Sequence, residues 1–194
     1  VIAVHLKGTF NMTHHACKYW SDESRAGRPR KASIVNTVSS AGLQGNKGQA
    51  NYGAAKAGIA ALTVITALEG ERYGVRANAV APGGATRIVH ETMPQIPLRE
   101  ANEVPDDTYE RLNPGNSAPM VVWLASEESS MVSGQVFRAV GADISAYHGW
   151  QIGETATNEV KGEPRKWDPA DLTSALGKDL FGTRPGGLQV GGKG

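Results

Sequence analysis

The sequence carries a single cysteine, Cys17, so it has no internal disulfide framework and no site built from several thiolates, which fits a reducing compartment. It has no excess of either charge. The 20 Lys and Arg stand against 19 Asp and Glu for a formal net charge of +1, a balance that gives no reason to expect a polyanion such as nucleic acid as partner. No stretch approaches the roughly 20 consecutive apolar residues a bilayer span needs, and the opening VIAVHLKGTF lacks the charged region, long apolar core and cleavage site of a signal peptide. The expectation is no nucleic acid, no membrane and, by default, a cytoplasmic address. What is present, 194 residues with 40% apolar content and 24 glycines, suits one ordinary domain or part of a larger one.

Residues 1–20 read as an amphipathic helix interrupted by Asn11, His14 and His15, so the chain is expected to begin in mid-element. The following SDESRAGRPRK holds Arg25, Arg28, Arg30 and Lys31 without interleaved aromatics and reads as a solvated loop. Residues 32–38 are short and β-branched, a buried strand, and SSAGLQGNKGQA is a loop by its glycines and small polar residues. A long helix is expected over 51–73, stopped at Gly74, and a second strand over 75–81, ended by Pro82, Gly83 and Gly84. Strand, helix and strand at this spacing form a βαβ unit, which puts the loops after both strands on one edge of a parallel sheet.

Residues 85–115, with Pro94, Pro97, Pro105 and Pro114, read as an irregular excursion with short helices, of the kind that forms a lid. Ser117 is expected to cap a helix with Pro119 in its first turn and MVVWLASEE as its body, and 135–140 is a third strand. Asp168 and Pro169 look like the start of a short helix running to Leu176, and the last 13 residues read as disordered. The expected organisation is a folded region over 1–145 and an extended, partly flexible tail over 146–194.

Tyr52 and Lys56 lie four apart near a helix start, so both fall on one face about one turn from each other. An ammonium near a phenol favours the phenolate and moves a pKa of about 10 toward the working range of a general acid or base. Ser39 follows the first strand, at the edge where such sheets place their sites, in position to hold the oxygen that Tyr52 protonates. On spacing alone, a Tyr and Lys so separated are more often surface decoration.

The longer pattern adds to this. Ser39 stands thirteen positions before Tyr52, inside IVNTVSSAGLQGNKGQANYGAAKAG, which closely resembles the short-chain dehydrogenase/reductase family with its serine and YxxxK. RYGVRANAVAPGG is similar to that family's next strand and Pro-Gly loop, and the resemblance covers roughly residues 1–145. It implies the C-terminal part of a doubly wound parallel sheet, Rossmann-like, in three α/β/α layers. The implied activity is an oxidoreductase using NAD or NADP to interconvert a secondary alcohol and a ketone. By the same resemblance Ser39 orients the substrate oxygen, Tyr52 is the general acid or base, and Lys56 bonds the nicotinamide ribose while lowering the tyrosine pKa. Pro82, Gly83 and Thr86 line the nicotinamide side, Thr86 one position earlier than usual. His5, in VHLKG, stands where the family has an asparagine; its neutral ring has one donor and can relay a proton through water.

The VHL segment together with GNxGQANYxAAK is similar to the dehydrogenase part of peroxisomal multifunctional β-oxidation enzymes and their bacterial relatives, which implies a 3-hydroxyacyl or 3-oxoacyl thioester as the small-molecule substrate. The 51–73 helix would, by resemblance, form the interface of a homodimer or homotetramer. No metal site is expected, since the adjacent His14 and His15 point apart on a helix. Asn36 reads as structural, Asn51 as a helix cap, and Trp123 and Leu124 as core.

The sequence contains no GxGxxG or equivalent before a helix, no acidic or basic selector and no NNAG-like segment. The expectation is that the cofactor-binding half of the family's fold is absent, leaving a bare sheet edge and no basis for choosing NAD over NADP. Two readings follow: the C-terminal part of a working enzyme, or a catalytically silent fragment or oligomer partner that does not bind the cofactor.

Overall fold

The structure, a computed structural model, describes residues 1–92, 94–96, 109–149, 151, 155–160, 162–170 and 172. It divides into two units, Val1–Tyr147 and His148–Gly194. In the first, the β-branched and small residues of 32–37, 75–82 and 136–140 form strands β1 (Ala32–Thr37), β2 (Val75–Pro82) and β3 (Val136–Val140), which pair in parallel and in that order. A fourth strand, β4 (Asp143–Ala146), folds back antiparallel on β3. Ala32 pairs with Val75, Thr37 with Val80 and Pro82 with Ala139, so the loops that leave β1 and β2 emerge at one edge. Gly74, at φ 75°, reverses the chain before β2 in a conformation that suits glycine.

Alternation along β2 serves two cores. Ala79 and Ala81 pack with Val38, Val136 and the Ile59 and Ala60 side chains of α3 (Ala50–Gly70). Val80 points the other way, with Ala139, onto Met120 and Leu124 of α5 (Ala118–Ala125). Helix α1 (Gly8–Arg25), entered through a π turn over Ala3–Lys7, packs beside α3. The result is a three-layer α/β/α arrangement of the doubly wound, Rossmann-like kind. Trp123 and Leu124 are core residues, and Asn36 is a structural one, donating from Nδ2 to Thr63 Oγ1 at 2.9 Å.

The expectation that the cofactor-binding half is absent is corrected. β1, the one-turn helix α2 (Ser40–Leu43), α3 and β2 form a parallel crossover unit of the Rossmann type, with its loops at the carboxyl edge where nucleotides bind. Four local expectations are also corrected. Residues 21–25 continue α1 instead of forming a loop. The 39–50 loop contains α2. Asn51 is inside α3, whose N-cap is Gln49. Ser117 makes no side-chain cap; its Oγ donates to Ala139 O at 2.9 Å, and α5 is preceded by a 3-10 turn over Pro114–Ser117 that Asn113 caps.

The reading that no segment is apolar enough to span a bilayer also needs amending. Residues Ala50–Tyr73 pass on length and composition, because the helix is rich in Ala, Ile and Leu, some of which, such as Ala55 and Ile59, are buried while others, such as Ile65 and Leu68, are exposed. The second unit holds a two-stranded hairpin, β5 (Glu159–Val160) and β6 (Glu163–Pro164), around Gly162. Within the excursion after β2, α4 (Arg87–Thr92) is helical; its residues 97–108 lie outside the described residues, as do most of the expected tail helix to Leu176 and the last 13 residues.

Leu124 is fully buried between α5 and the sheet, whereas Val122, on the same helix, is exposed. Leu124→Ala is expected to lower unfolding free energy by about 2–5 kcal/mol and Val122→Ala by less than about 0.5 kcal/mol, measured by urea denaturation.

Candidate active site

Ser39 leaves β1 in an extended conformation (φ −153°) and its Oγ accepts from Ala41 N at 3.2 Å, capping α2. That turn lies against α3 at backbone distance. A Cβ on Gly42 would sit 2.6 Å from Ala57 N and 2.8 Å from Lys56 C, so no other residue fits without moving the two helices apart.

On α3, the four-residue spacing brings Tyr52 and Lys56 together, with Lys56 Nζ 5.7 Å from the Tyr52 ring centre. Lys56 is only 6% exposed, and its ammonium donates to the carbonyl of Thr37, the last residue of β1, at 2.8 Å. Burial holds its pKa below the ordinary lysine value. His5 approaches from the π turn and meets the Tyr52 ring edge to face, 5.4 Å between centres at 87°. Its carbonyl accepts from Thr9 Oγ1 at 2.7 Å, which steadies the turn. Burial first, and then the Lys56 charge, lower the His5 pKa, so its ring is neutral at neutral pH.

The loop after β2 supplies the other side of this edge. Gly83 N donates to Ala139 O at 3.1 Å, and a side chain on Gly83 would collide with Val140. Pro82 ends the strand, and Thr86 Oγ1 accepts from Val89 N at 3.3 Å, capping α4. The structure thus brings His5, Tyr52 and Lys56 into contact, sets Ser39 on the adjoining turn, and puts Pro82 at the end of the neighbouring strand with Gly83 and Thr86 beyond it. Thr37 and Gly42 were not singled out from the sequence. A carbonyl leaves no sequence signal, whereas the glycine of SSAGL was readable as a close-approach position.

A cleft of about 720 Å³ opens at the opposite, amino edge of the sheet, lined among others by Ser33, Leu68, Arg76 and Met131. Arg76 is occupied there by the carbonyls of Leu124, Ser126, Ser129 and Val132, so its role is to satisfy the chain after α5. The chemistry therefore lies away from this cleft.

A family described as enoyl-(acyl carrier protein) reductase matches residues 1–141. A hydroxyacyl-CoA dehydrogenase of Mycobacterium tuberculosis is 37% identical over 95% of this chain and 56% of its own length. A 3-oxoacyl-(acyl-carrier-protein) reductase of Thermotoga maritima is 39% identical over 70% of this chain and 52% of its own. In structure, the chain is similar to a short chain dehydrogenase from Mycobacterium avium, with TM-score 0.77 and 43% identity over 95% of this chain and 57% of that one. The chain spans about half the length of the curated relatives it matches.

The donor set at this edge fits the ribose of a nicotinamide nucleotide. An ammonium has three donors, and the contact with Thr37 uses one, which leaves Lys56 able to serve the hydroxyls of a sugar at a site screened from water.

The depressed Lys56 pKa has a sign that can be checked. Between that value and the ordinary 10.5, the unfolded chain binds the proton and the folded one does not, so stability contributed by this group rises with pH through that window. Urea denaturation from neutrality to pH 10.5 is expected to show a rise in the wild type that is smaller in Lys56→Met; equal slopes would mean the ammonium is not desolvated.

Proposed function

The chain belongs to the short-chain dehydrogenase/reductase family, and on that premise we propose that it works as an oxidoreductase using NAD or NADP to interconvert a secondary alcohol and a ketone. The observation that carries this reading is the contact of Tyr52 with Lys56 and His5 at the carboxyl edge of a Rossmann-type sheet, beside the turn that begins at Ser39. A nicotinamide cofactor, held by Lys56 and by the Pro82, Gly83 and Thr86 side of the site, would supply hydride transfer to or from the substrate carbon. Ser39 donates its hydroxyl proton to the substrate oxygen and orients it. In oxidation Tyr52 takes the proton of the substrate hydroxyl, and in reduction it returns one, so a single phenol serves both directions.

The Lys56 ammonium stands 5.7 Å from the Tyr52 ring centre, and its remaining donors hold the ribose. His5, neutral and in contact with Tyr52, passes the proton between the phenol and solvent through water. Pro82, Gly83 and Thr86 line the nicotinamide side; Thr86 Oγ1, although it accepts from Val89 N, keeps its own proton to donate.

For substrate we propose a 3-hydroxyacyl or 3-oxoacyl thioester. Support comes from the names of two similar proteins, one a hydroxyacyl-CoA dehydrogenase and the other a 3-oxoacyl-(acyl-carrier-protein) reductase, both of which name an oxygenated acyl group on a carrier. We also propose a homodimer or homotetramer joined through α3. Its outward side exposes Val64, Ile65 and Leu68, the last 71% accessible, more apolar surface than a helix facing water needs.

Tyr52→Phe is expected to lower kcat by at least about 100-fold while cofactor binding, followed by nicotinamide fluorescence, stays within a few-fold of wild type. Near-normal turnover in Tyr52→Phe, or no saturable cofactor binding by the wild type, would overturn the proposal. For the assembly, Ile65→Glu with Leu68→Glu is expected to shift the mass in sedimentation equilibrium from a multiple of the protomer to the protomer; an unchanged mass would place the interface elsewhere.

A further inference from the structure

We infer that Tyr147 is a positioning residue for the serine turn, acting through Ser40 to fix where the Ser39 hydroxyl stands. The inference rests on the reading of Ser39 as a catalytic group, and it starts from the weakness of α2 by itself. A single turn of four residues makes too few internal bonds to hold its own geometry; here Gly42 N donates to Ser39 O at 2.9 Å and Gln44 N to Ser40 O at 2.8 Å. The loop onward to α3 contains Gly45 and Gly48, both with φ near 80° (82° and 81°), and so adds little stiffness. External contacts must therefore place the turn.

One contact is the close approach of Gly42 to the Lys56–Ala57 backbone on the α3 side. The other is Tyr147, which follows β4. Its hydroxyl lies 2.9 Å from Ser40 Oγ and reaches Gln44 Oε1 at 3.4 Å, so one phenol touches the first residue of α2 and the residue just after its last. The ring is itself fixed: it packs on the core that contains Val38 and Ile59, and its backbone N donates to Val136 O at 2.8 Å. A rigid phenol on the sheet and a glycine contact on the helix hold α2 between them. Ser39, immediately before Ser40, inherits its position from that clamp. No sequence feature marked Tyr147, because its partner is 107 residues away.

The test is Tyr147→Phe, which keeps the ring in the core and removes only the hydroxyl. Hydrogen exchange by NMR on the protein should show the Gly42 and Gln44 amides exchanging about 5–10-fold faster, the loss expected from one or two hydrogen bonds. With cofactor and a 3-oxoacyl thioester, kcat should fall about 10-fold with cofactor affinity unchanged. Ser40→Ala should reproduce the loss, and the Tyr147→Phe, Ser40→Ala pair should lose no more than either alone. In a Ser39→Ala background, Tyr147→Phe should have no further effect on kcat.

Unchanged amide exchange overturns the inference. So does a loss that persists undiminished in Ser39→Ala, which would make Tyr147 act independently of the serine, or a change confined to KM, which would make it a substrate contact. If the wild type turns over no thioester or simple ketone, the enzymatic reading fails by itself. The exchange experiment then still decides whether Tyr147 holds the turn.

Discussion

Close approach at glycine governs this unit. A Cβ on Gly42 would meet the Lys56–Ala57 backbone, one on Gly53 would lie 3.0 Å from Ala41 O, and one on Gly58 would lie 3.0 Å from Leu6 Cδ1. The serine turn and α3 therefore touch almost backbone to backbone, and the π turn lays the Leu6 side chain directly on the α3 backbone at Gly58. That proximity lets the Lys56 side chain stay out of water while its ammonium reaches Thr37. A desolvated charge is a poor source of stability, because the cost of removing it from water offsets most of what its partner returns. Its worth is chemical: an ammonium fixed in place beside a phenol, at an edge where both strands end.

The two edges of the sheet are finished differently. At the amino edge, polar groups are saturated: Arg76 serves four carbonyls and the Ser129 hydroxyl, and the buried Asn78 donates to Val132 O while accepting from Gln135 N. Such hubs lock the connections between α5 and β3 and leave little to offer a ligand. At the carboxyl edge, among the described residues, Lys56 and Thr86 retain donor capacity, and the Ser39 hydroxyl accepts a bond without giving its own proton. The size of the amino-edge cleft therefore says less about chemistry than the state of the donors at the other end.

Much of this was legible in the sequence, and the parts that were not share a cause. Strands β1 to β3 and α3 stood out because β-branched runs and long helical periodicity report burial directly. Tyr52 and Lys56 stood out because a helix converts a four-residue spacing into contact. The extension of α1 through Arg25 was hidden by a run of charge that suits a solvated helix face as well as a loop, with Lys18 and Asp22 pairing at 2.6 Å along it. Ser117 looked like a cap, but its hydroxyl is claimed by Ala139, a partner 22 residues on. β4 and Tyr147 depend on pairing with β3 and α2, and no local pattern announces a tertiary partner. The absence of a Gly-rich fingerprint invited the view that the cofactor fold was missing; the crossover unit is defined by strand direction and connection, which a motif does not encode.

The π turn before α1 has a consequence for how this edge tolerates length changes. Its wide bond runs from Gly8 N back to Ala3 O, and it takes in one more residue than an α turn. The phase of the side chains before Lys7 is thereby offset from those after it, which is how two neighbours, His5 and Leu6, both reach α3, one at Tyr52 and the other at Gly58. Loss of a single residue from this turn would restore a regular helix and swing His5 by about 100° around the axis, away from the phenol. Such a deletion would remove the ring contact and also lift Leu6 from Gly58 and the core, so this stretch is one where residue count, more than residue identity, carries the information.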